Sequence, residues 1–116
     1  VARAAEAWGA DRVVAEKNQG GDMVESVLRQ VDGALPVKLV SASRGKVARA
    51  EPVAARFEHG MAKLAGCFPE LEDELAGLTL GGGYEGPGRS PDRADAMVWA
   101  MSELMRPAVE PRVRVF

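Results

Sequence analysis

The sequence predicts an α/β fold in which a partly parallel sheet is flanked by helices. Two short segments, 11–16 and 36–42, are built around aliphatic residues and have the length of buried strands. Between them, over 22–30, apolar residues return every three or four positions, which is typical of one face of a helix. A strand, a helix and a strand within about 30 residues form a βαβ unit, whose strands run parallel. The 116 residues suffice for one domain with a modest core.

Glycines mark the ends of the elements in the first part of the chain. Residues 1–9 are rich in alanine and predict the last turns of a helix that Gly9 stops. The pair Gly20-Gly21 predicts a turn after the first strand. Gly33 ends the helical pattern, so the second strand is expected to follow soon after it.

Proline and glycine also divide the second half of the chain. Pro52 lies inside a helical segment and predicts a kink or a new first turn there. Ser90 and Pro91 are residue types preferred at a helix cap and at the first helical position. The predicted elements are a helix over 44–60, a short strand over 61–66, a helix over 69–78, a glycine-rich loop over 81–90, a helix over 91–106 and a tail over 107–116.

Composition excludes several classes of protein. The 15 basic and 17 acidic residues give a net charge of -2, which argues against a surface that binds nucleic acid all over but not against a local basic surface. One cysteine and one histidine allow neither a disulfide framework nor a metal site built on sulfur or imidazole. Any metal is therefore expected to be Mg²⁺ or Mn²⁺, held by oxygen atoms.

Targeting signals are missing from the sequence. No segment approaches the roughly 20 apolar residues of a membrane span, and no signal peptide is visible, so a cytoplasmic protein with no membrane contact is expected. The chain begins with valine inside a helical pattern. We therefore expect it to be a piece of a longer protein.

The first candidate site lies at the end of the first strand. Glu16 closes the apolar run, and Asn18 and the pair Gly20-Gly21 follow it. Ligands bind at the carboxyl ends of strands in open α/β sheets, and glycine lets a ligand approach the backbone. A polar strand end followed by a plain turn gives the same pattern, so both interpretations stay open.

The second candidate site lies at the start of the last helix. Asp92 and Asp95 are three residues apart and share a face of its first turn. The helix dipole favours acids at this position, which explains both residues without any site. Asp95, however, heads the apolar stretch 96–100, so its carboxylate is expected at a boundary between core and solvent.

A third candidate is a basic stripe at the start of the helix predicted over 44–60. Arg44, Lys46 and Arg49 lie in its first turns, and Arg56 follows seven residues after Arg49. Lys46, Arg49 and Arg56 can share one side of the helix, where they would suit contacts to phosphates. A solvated charged face is the alternative interpretation.

Other distinctive side chains are expected to be structural. The five methionines, Trp8 and Trp99 are expected in the core. Cys67 has no activating neighbour in the sequence and is expected to be inert.

Three segments together resemble a known family. The segments AEKNQGGDMV, SRGKVARAEPVAARFEHG and SPDRADAMVWAMSEL are similar, in order and separation, to the C-terminal nuclease domain of the large terminase subunit. Terminases package DNA in tailed bacteriophages, prophages and gene transfer agents. The resemblance covers about residues 10–105, and no single motif carries it.

The resemblance implies an RNase H-like fold and a metal-dependent endonuclease that cuts concatemeric DNA. Family members hold two Mg²⁺ or Mn²⁺ ions with three acids, of which Glu16 matches the second and Asp95 the third, with Asp92 and Asn18 in support. The basic residues Arg44, Lys46 and Arg49 would hold the DNA backbone.

The resemblance also implies what this chain lacks. The first acid and the N-terminal strands of the fold would lie upstream of Val1, as would an ATPase domain. We therefore expect residues 1–106 to be a truncated nuclease domain that is inactive alone, followed by the tail 107–116. Expected partners are double-stranded DNA, the portal protein, the small terminase subunit and a second copy of this chain, joined through an exposed sheet edge.

Two other readings of the sequence remain open. One alternative is that the chain is part of another RNase H-like enzyme, such as a resolvase or an integrase-like recombinase. It also fits a non-catalytic module that docks onto the packaging machinery. An ATPase domain upstream would support only the terminase reading.

Overall fold

The computed structural model describes residues 1–17, 26, 36–79 and 82–107. The predicted turn at Gly20-Gly21, the helix over 22–30 apart from Ser26, and the tail beyond residue 107 lie outside the described residues. The described elements, in chain order, are α1 (Ala2–Ala7), β1 (Val13–Glu16), β2 (Val37–Val40), α2 (Lys46–Glu58), α3 (Pro69–Ala76) and α4 (Asp92–Leu104).

The two described strands form a parallel pair, as the sequence predicts. Val13 lies opposite Val37, and Glu16 lies opposite Val40. All eight strand residues are half-buried. The parallel register places the Glu16 carboxylate at the carboxyl end of the sheet, where ligands bind in this class of fold. The prediction of an α/β fold with a partly parallel sheet and flanking helices is confirmed.

Helix α4 lies at the centre of the fold, in contact with β1, α2 and α3. Ala94 and Val98, four residues apart on α4, are almost completely buried, and so is Val53 of α2. Residues at this spacing share one face of a helix, which is the face that packs inward. The position of α4 therefore decides which side chains meet the end of β1.

The segment 61–66 is not a strand, so that prediction is wrong. The backbone N–H groups of Met61 and Ala62 both donate to the carbonyl of Arg56, at 2.8 and 3.2 Å. Gly60 has a φ of 70°, in the left-handed region that commonly ends a helix. The backbone after α2 thus donates to a carbonyl of the last turn of that helix, and not to a neighbouring strand.

Helix α2 continues through Pro52, so no new helix starts at this proline.

The last helix begins one residue later than predicted and ends at Leu104. Pro91 is its N-cap, and Ser90 does not cap it. The Ser90 hydroxyl instead donates to the Asp92 carboxylate at 2.6 Å, so it is engaged with a side chain rather than with the backbone.

Two side chains expected in the core are exposed. Trp8 is 87% exposed and Met61 is 67% exposed. Helix α1 has only six residues and buries Ala5 alone, so Trp8, which follows it, is left outside the core. Met61 follows the turn that ends α2, where the chain leaves the packed face of that helix. No described helix has the length and apolar character that crossing a bilayer requires.

Candidate active site

Glu16 turns toward the last helix. It is the final residue of β1, and its side-chain oxygen Oε2 accepts a hydrogen bond from Nε1 of Trp99 at 3.1 Å. Because 83 residues separate the two, this contact is made by the tertiary structure and not by a local turn. The carboxylate of Glu16 is therefore held in a defined place against α4.

Asp95 is held by two cations from α2. Its Oδ1 accepts from Nη2 of Arg49 at 2.7 Å, and its Oδ2 lies 3.8 Å from Nζ of Lys46. The side chains of Asp95 and Arg49 are each only 11% exposed. Lys46 and Arg49 are three residues apart, so they share a face of α2, and that face points at the first turn of α4.

Arg49 also contacts Trp99. Its guanidinium carbon lies 4.8 Å from the centre of the indole ring, which is within the range of a cation–π contact. The guanidinium donates a further hydrogen bond to the carbonyl oxygen of Arg44. Its Nε is buried and has no partner among the described residues. This arginine is thus fixed on three sides.

These contacts link the two predicted catalytic acids. The order is Glu16, Trp99, Arg49 and Asp95, and we call these four residues the bridging network. Asp95 and Trp99 are four residues apart on α4 and so lie on the same face of that helix. The end of β1 and the first turn of α4 are therefore connected through side chains of α2 and α4.

Asp92 lies at the exposed rim of this network. Its side chain is 83% exposed, and its carboxylate lies 3.7 Å from Nζ of Lys46. The Ser90 hydroxyl, which also accepts a 2.8 Å hydrogen bond from Lys46, lowers the pKa of Asp92 by donating to it. Asp92 thus shares the ammonium group of Lys46 with Asp95, and its supporting role stays a prediction.

A buried glutamate, Glu74 of α3, fixes the start of α4. It is 5% exposed, and its Oε2 accepts from the backbone N–H of Ala94 at 3.0 Å. Arg93 donates to its other oxygen, also at 3.0 Å. The backbone hydrogen bond, and then Arg93, hold the pKa of Glu74 below its ordinary value. Glu74 therefore takes the capping role that the sequence predicts for Ser90. Its carboxylate accepts from a backbone N–H group in the first turn of α4, immediately before Asp95.

The far end of α4 is tied to both strands. Lys38 of β2 and Arg12, just before β1, donate to the carboxylate of Glu103 at 2.7 and 2.9 Å. The hydrogen bond from Lys38 is the main reason why the pKa of Glu103 lies below its ordinary value. Helix α4 is thereby held at both ends, which keeps its middle against β1.

The sequence does not predict the contacts of six of these residues. The residue type of Trp99 predicts a core position, and no pattern singles out Glu74, Arg93, Lys38, Glu103 or Arg12. Nothing in the segment 69–76 distinguishes Glu74 from its acidic neighbours, since the burial of one of them depends on how α3 meets α4. Of the predicted residues, Glu16, Asp95, Lys46 and Arg49 are brought together. Arg44 is exposed, and among the described residues it contributes its carbonyl oxygen, which accepts from Arg49. Asn18 lies outside the described residues.

The carboxylates offer the donor chemistry that Mg²⁺ or Mn²⁺ requires. Within the described ranges, Oε1 of Glu16 accepts no hydrogen bond, and Oδ2 of Asp95 has only Lys46, at 3.8 Å. One or two carboxylates, with water and substrate phosphate, are a usual ligand set for Mg²⁺. Among the described residues, however, no three His, Cys, Asp or Glu side chains are grouped closely enough to hold a metal ion. Glu16 and Asp95 are joined only through Trp99 and Arg49 in the part of the chain that the structure describes, so a cation shared by the two carboxylates stays a prediction.

Comparison with known proteins adds one finding. Residues 1–104 match the family described as the terminase RNase H-like domain. No curated protein and no solved structure matched the chain. The family match covers all the described elements, including both strands and the helix that carries Asp95. The chain therefore belongs to the family of terminase RNase H-like domains.

Proposed function

We propose that this chain is the nuclease portion of the large subunit of a DNA-packaging terminase from a bacteriophage, a prophage or a gene transfer agent. The intact protein would cut concatemeric double-stranded DNA in a metal-dependent reaction. The observation that carries the proposal is the bridging network, which connects Glu16 at the sheet end with Asp95 at the head of α4. Family membership supplies the fold in which acids at these positions act.

Glu16 and Asp95 are the proposed metal ligands. Divalent cations supply the activation of a water molecule and the stabilisation of the leaving oxygen that phosphodiester cleavage needs. The two carboxylates would hold such ions through hard oxygen atoms, with Asp92 at the rim. The resemblance implies a set of three acids, and among the described residues no third carboxylate is grouped with these two, so the chain of residues 1–116 is proposed to be inactive alone.

Lys46 and Arg49, with Arg44 beside them, are the proposed DNA-binding residues. Lys46 is 40% exposed and extends to Ser90 and Asp92 at the rim. Arg49 is buried against Asp95 and would reach a phosphate only at the edge of the site. Contacts of this kind hold the DNA backbone without reading its sequence. We propose that the nuclease domain spans 1–106 and that 107–116 is a tail.

Assembly partners follow from the proposed role. A packaging terminase would work with the portal protein and the small terminase subunit in the cytoplasm of the bacterial host. The described sheet has only two strands, so an edge of it is proposed to pair with a second copy of this chain. A strictly monomeric mass in solution would contradict that pairing.

Calorimetry with Mn²⁺ tests the proposed metal ligands. We expect weak binding to the chain, lost in Glu16→Ala and in Asp95→Ala and kept in the control Asp11→Ala, whose aspartate is exposed and outside the network. Plasmid nicking by residues 1–116 alone is expected to be absent. Efficient nicking that Asp95→Ala abolishes would overturn the proposed inactivity of this chain.

One observation favours a second candidate function. Asp95 is already paired with Arg49 and Lys46, as in a structural ion-pair network. A non-catalytic docking module for the packaging machinery has this property, and no heat at millimolar Mn²⁺ would support it. Another RNase H-like nuclease or recombinase is distinguished by sequence upstream of Val1 that contains no ATPase domain.

A further inference from the structure

We propose that Trp99 is a positioning residue that sets the places of the two acids, Glu16 and Asp95, relative to each other. The inference rests on the proposed function, which assigns the two acids their role as metal ligands. The contacts that Trp99 makes do not depend on a bound metal ion. Trp99 touches one acid directly and the other through a single intervening side chain, Arg49.

The edge of the indole holds Glu16. Tryptophan has one hydrogen-bond donor, Nε1, and here that donor is directed at Oε2 of Glu16, at 3.1 Å. A neutral donor leaves the charge of the carboxylate intact, unlike a lysine or an arginine. Trp99 therefore orients Glu16 without neutralising it.

The face of the indole holds Arg49. The guanidinium lies 4.8 Å from the ring centre, and its Nη2 donates to Asp95 at 2.7 Å. An arginine stacked on a ring loses little further freedom when it forms a hydrogen bond, because its planar group is already oriented. Trp99 thus restricts where the Arg49–Asp95 pair can lie.

A tryptophan that only fills the core would not show this arrangement. Its neighbour Val98 is almost completely buried and has no polar contact to make, whereas Trp99 is half-buried and uses both its edge and its face on polar groups. The contacts reach β1 and α2, which are two different elements. One side chain on α4 therefore couples the end of the strand to the first turn of its own helix.

Variants at position 99 separate the two contacts. Trp99→Phe removes the N–H and keeps a ring face for Arg49, whereas Trp99→Leu removes both. All variants are made in the Trp8→Phe chain, which leaves Trp99 as the only tryptophan of the parent. Because Trp8 is 87% exposed, its replacement is not expected to disturb the core. Thermal unfolding confirms that each variant is folded.

The first measurement needs no metal. In the Trp8→Phe chain, the single indole N–H signal in the ¹H–¹⁵N spectrum is expected to shift, and to exchange faster with solvent, when Glu16→Ala is added. In Trp99→Phe, the γ-methylene protons of Glu16 are expected to lose their separate shifts, because the side chain is no longer held. Unchanged signals in both cases would overturn the proposal.

The second measurement is a double-mutant cycle on Mn²⁺ affinity. Trp99→Phe is expected to weaken Mn²⁺ binding about tenfold, the lower end of the effect of residues that orient metal ligands. In a Glu16→Asp chain, which keeps a carboxylate for Mn²⁺ on a side chain too short to hold the contact with Nε1 of Trp99, the same change is expected to have no further effect. An equal loss in both chains would show that Trp99 acts only on the fold. If no variant or parent binds Mn²⁺, the proposed metal site fails, and the NMR result alone decides the role of Trp99.

Discussion

Arg49 and Asp95 form a 2.7 Å ion pair in which both side chains are 11% exposed. The pair joins α2 to the first turn of α4, across 46 residues of sequence. The same guanidinium is a proposed phosphate-binding group, and the same carboxylate is a proposed metal ligand. Asp95 therefore competes with phosphate for Arg49, and Arg49 competes with the metal ion for Asp95.

Removing the charge of Asp95 is expected to strengthen DNA binding in the absence of metal. Asp95→Asn frees the charges of Lys46 and Arg49 for phosphates, so the affinity for duplex DNA in a chelator should rise. If one more phosphate is contacted, the slope of log affinity against log salt steepens by about 0.9. A salt titration of fluorescent duplex DNA measures both quantities.

A charge-matched control separates this effect from net charge. Glu58→Gln also removes one negative charge, from the exposed end of α2. It is expected to change DNA affinity less than Asp95→Asn does. Equal increases would attribute the effect to net charge, and a decrease in Asp95→Asn would show that Arg49 and Lys46 do not reach DNA.

The ion pair is also expected to stabilise the fold. Asp95→Ala leaves the nearly buried Arg49 without its carboxylate, which should cost about 1–3 kcal/mol in the free energy of unfolding. Replacing Arg49 by leucine in the same chain is expected to recover part of this loss, because no unpaired charge is then buried. Urea unfolding of the single and double variants gives the coupling. Additive losses would mean that the pair has no mutual stabilisation.

Acid is expected to loosen α4 from the sheet. The Lys38 ammonium holds the pKa of Glu103 below its ordinary value of 4.5, so folding favours the ionised carboxylate. The resulting stability is present in full above that value and is lost as the pH falls below it. Thermal unfolding from about pH 7 to about pH 3 should show a falling Tm.

Glu103→Gln is the matched variant for the acid effect. It is expected to lower the Tm at neutral pH and to reduce the further fall in acid. Some fall should remain, since the pKa of Glu74 is lowered in the same direction by the N–H of Ala94. An acid transition that Glu103→Gln leaves unchanged would assign the effect to other carboxylates.

A close backbone contact after α3 predicts a sensitive glycine. A Cβ on Gly77 would overlap backbone atoms of Gly86, which cannot move aside as the end of a flexible side chain can. Gly77→Ala is therefore expected to destabilise the fold by about 1–3 kcal/mol, as overpacking does. The control is Gly45→Ala at the N-cap of α2, where a Cβ meets nothing within 4 Å. Chemical unfolding that gives equal values for both would contradict the close approach.

Local pattern by itself determined much of the backbone. Apolar spacing predicts both strands, their parallel pairing and the helices found over 46–58, 69–76 and 92–104. Glycine and proline mark where these elements end, because they change the backbone conformation and the hydrogen bonds between near neighbours. The same residues placed Glu16 at the end of a strand and Asp95 in the first turn of a helix. The strand expected over 61–66 failed because the backbone there bonds to Arg56 instead.

The side-chain partners were decided only by the tertiary structure. At the start of α4, a backbone N–H group donates to Glu74 and not to Ser90. Trp8 is exposed. Trp99 donates a hydrogen bond to Glu16, which is 83 residues away in the sequence. Spacing along a helix shows which residues share a face but not which element that face will meet. That choice depends on how α2, α3 and the sheet pack around α4. This packing joined three separate candidates of the sequence, Glu16, Arg49 and Asp95, through Trp99 into one bridging network.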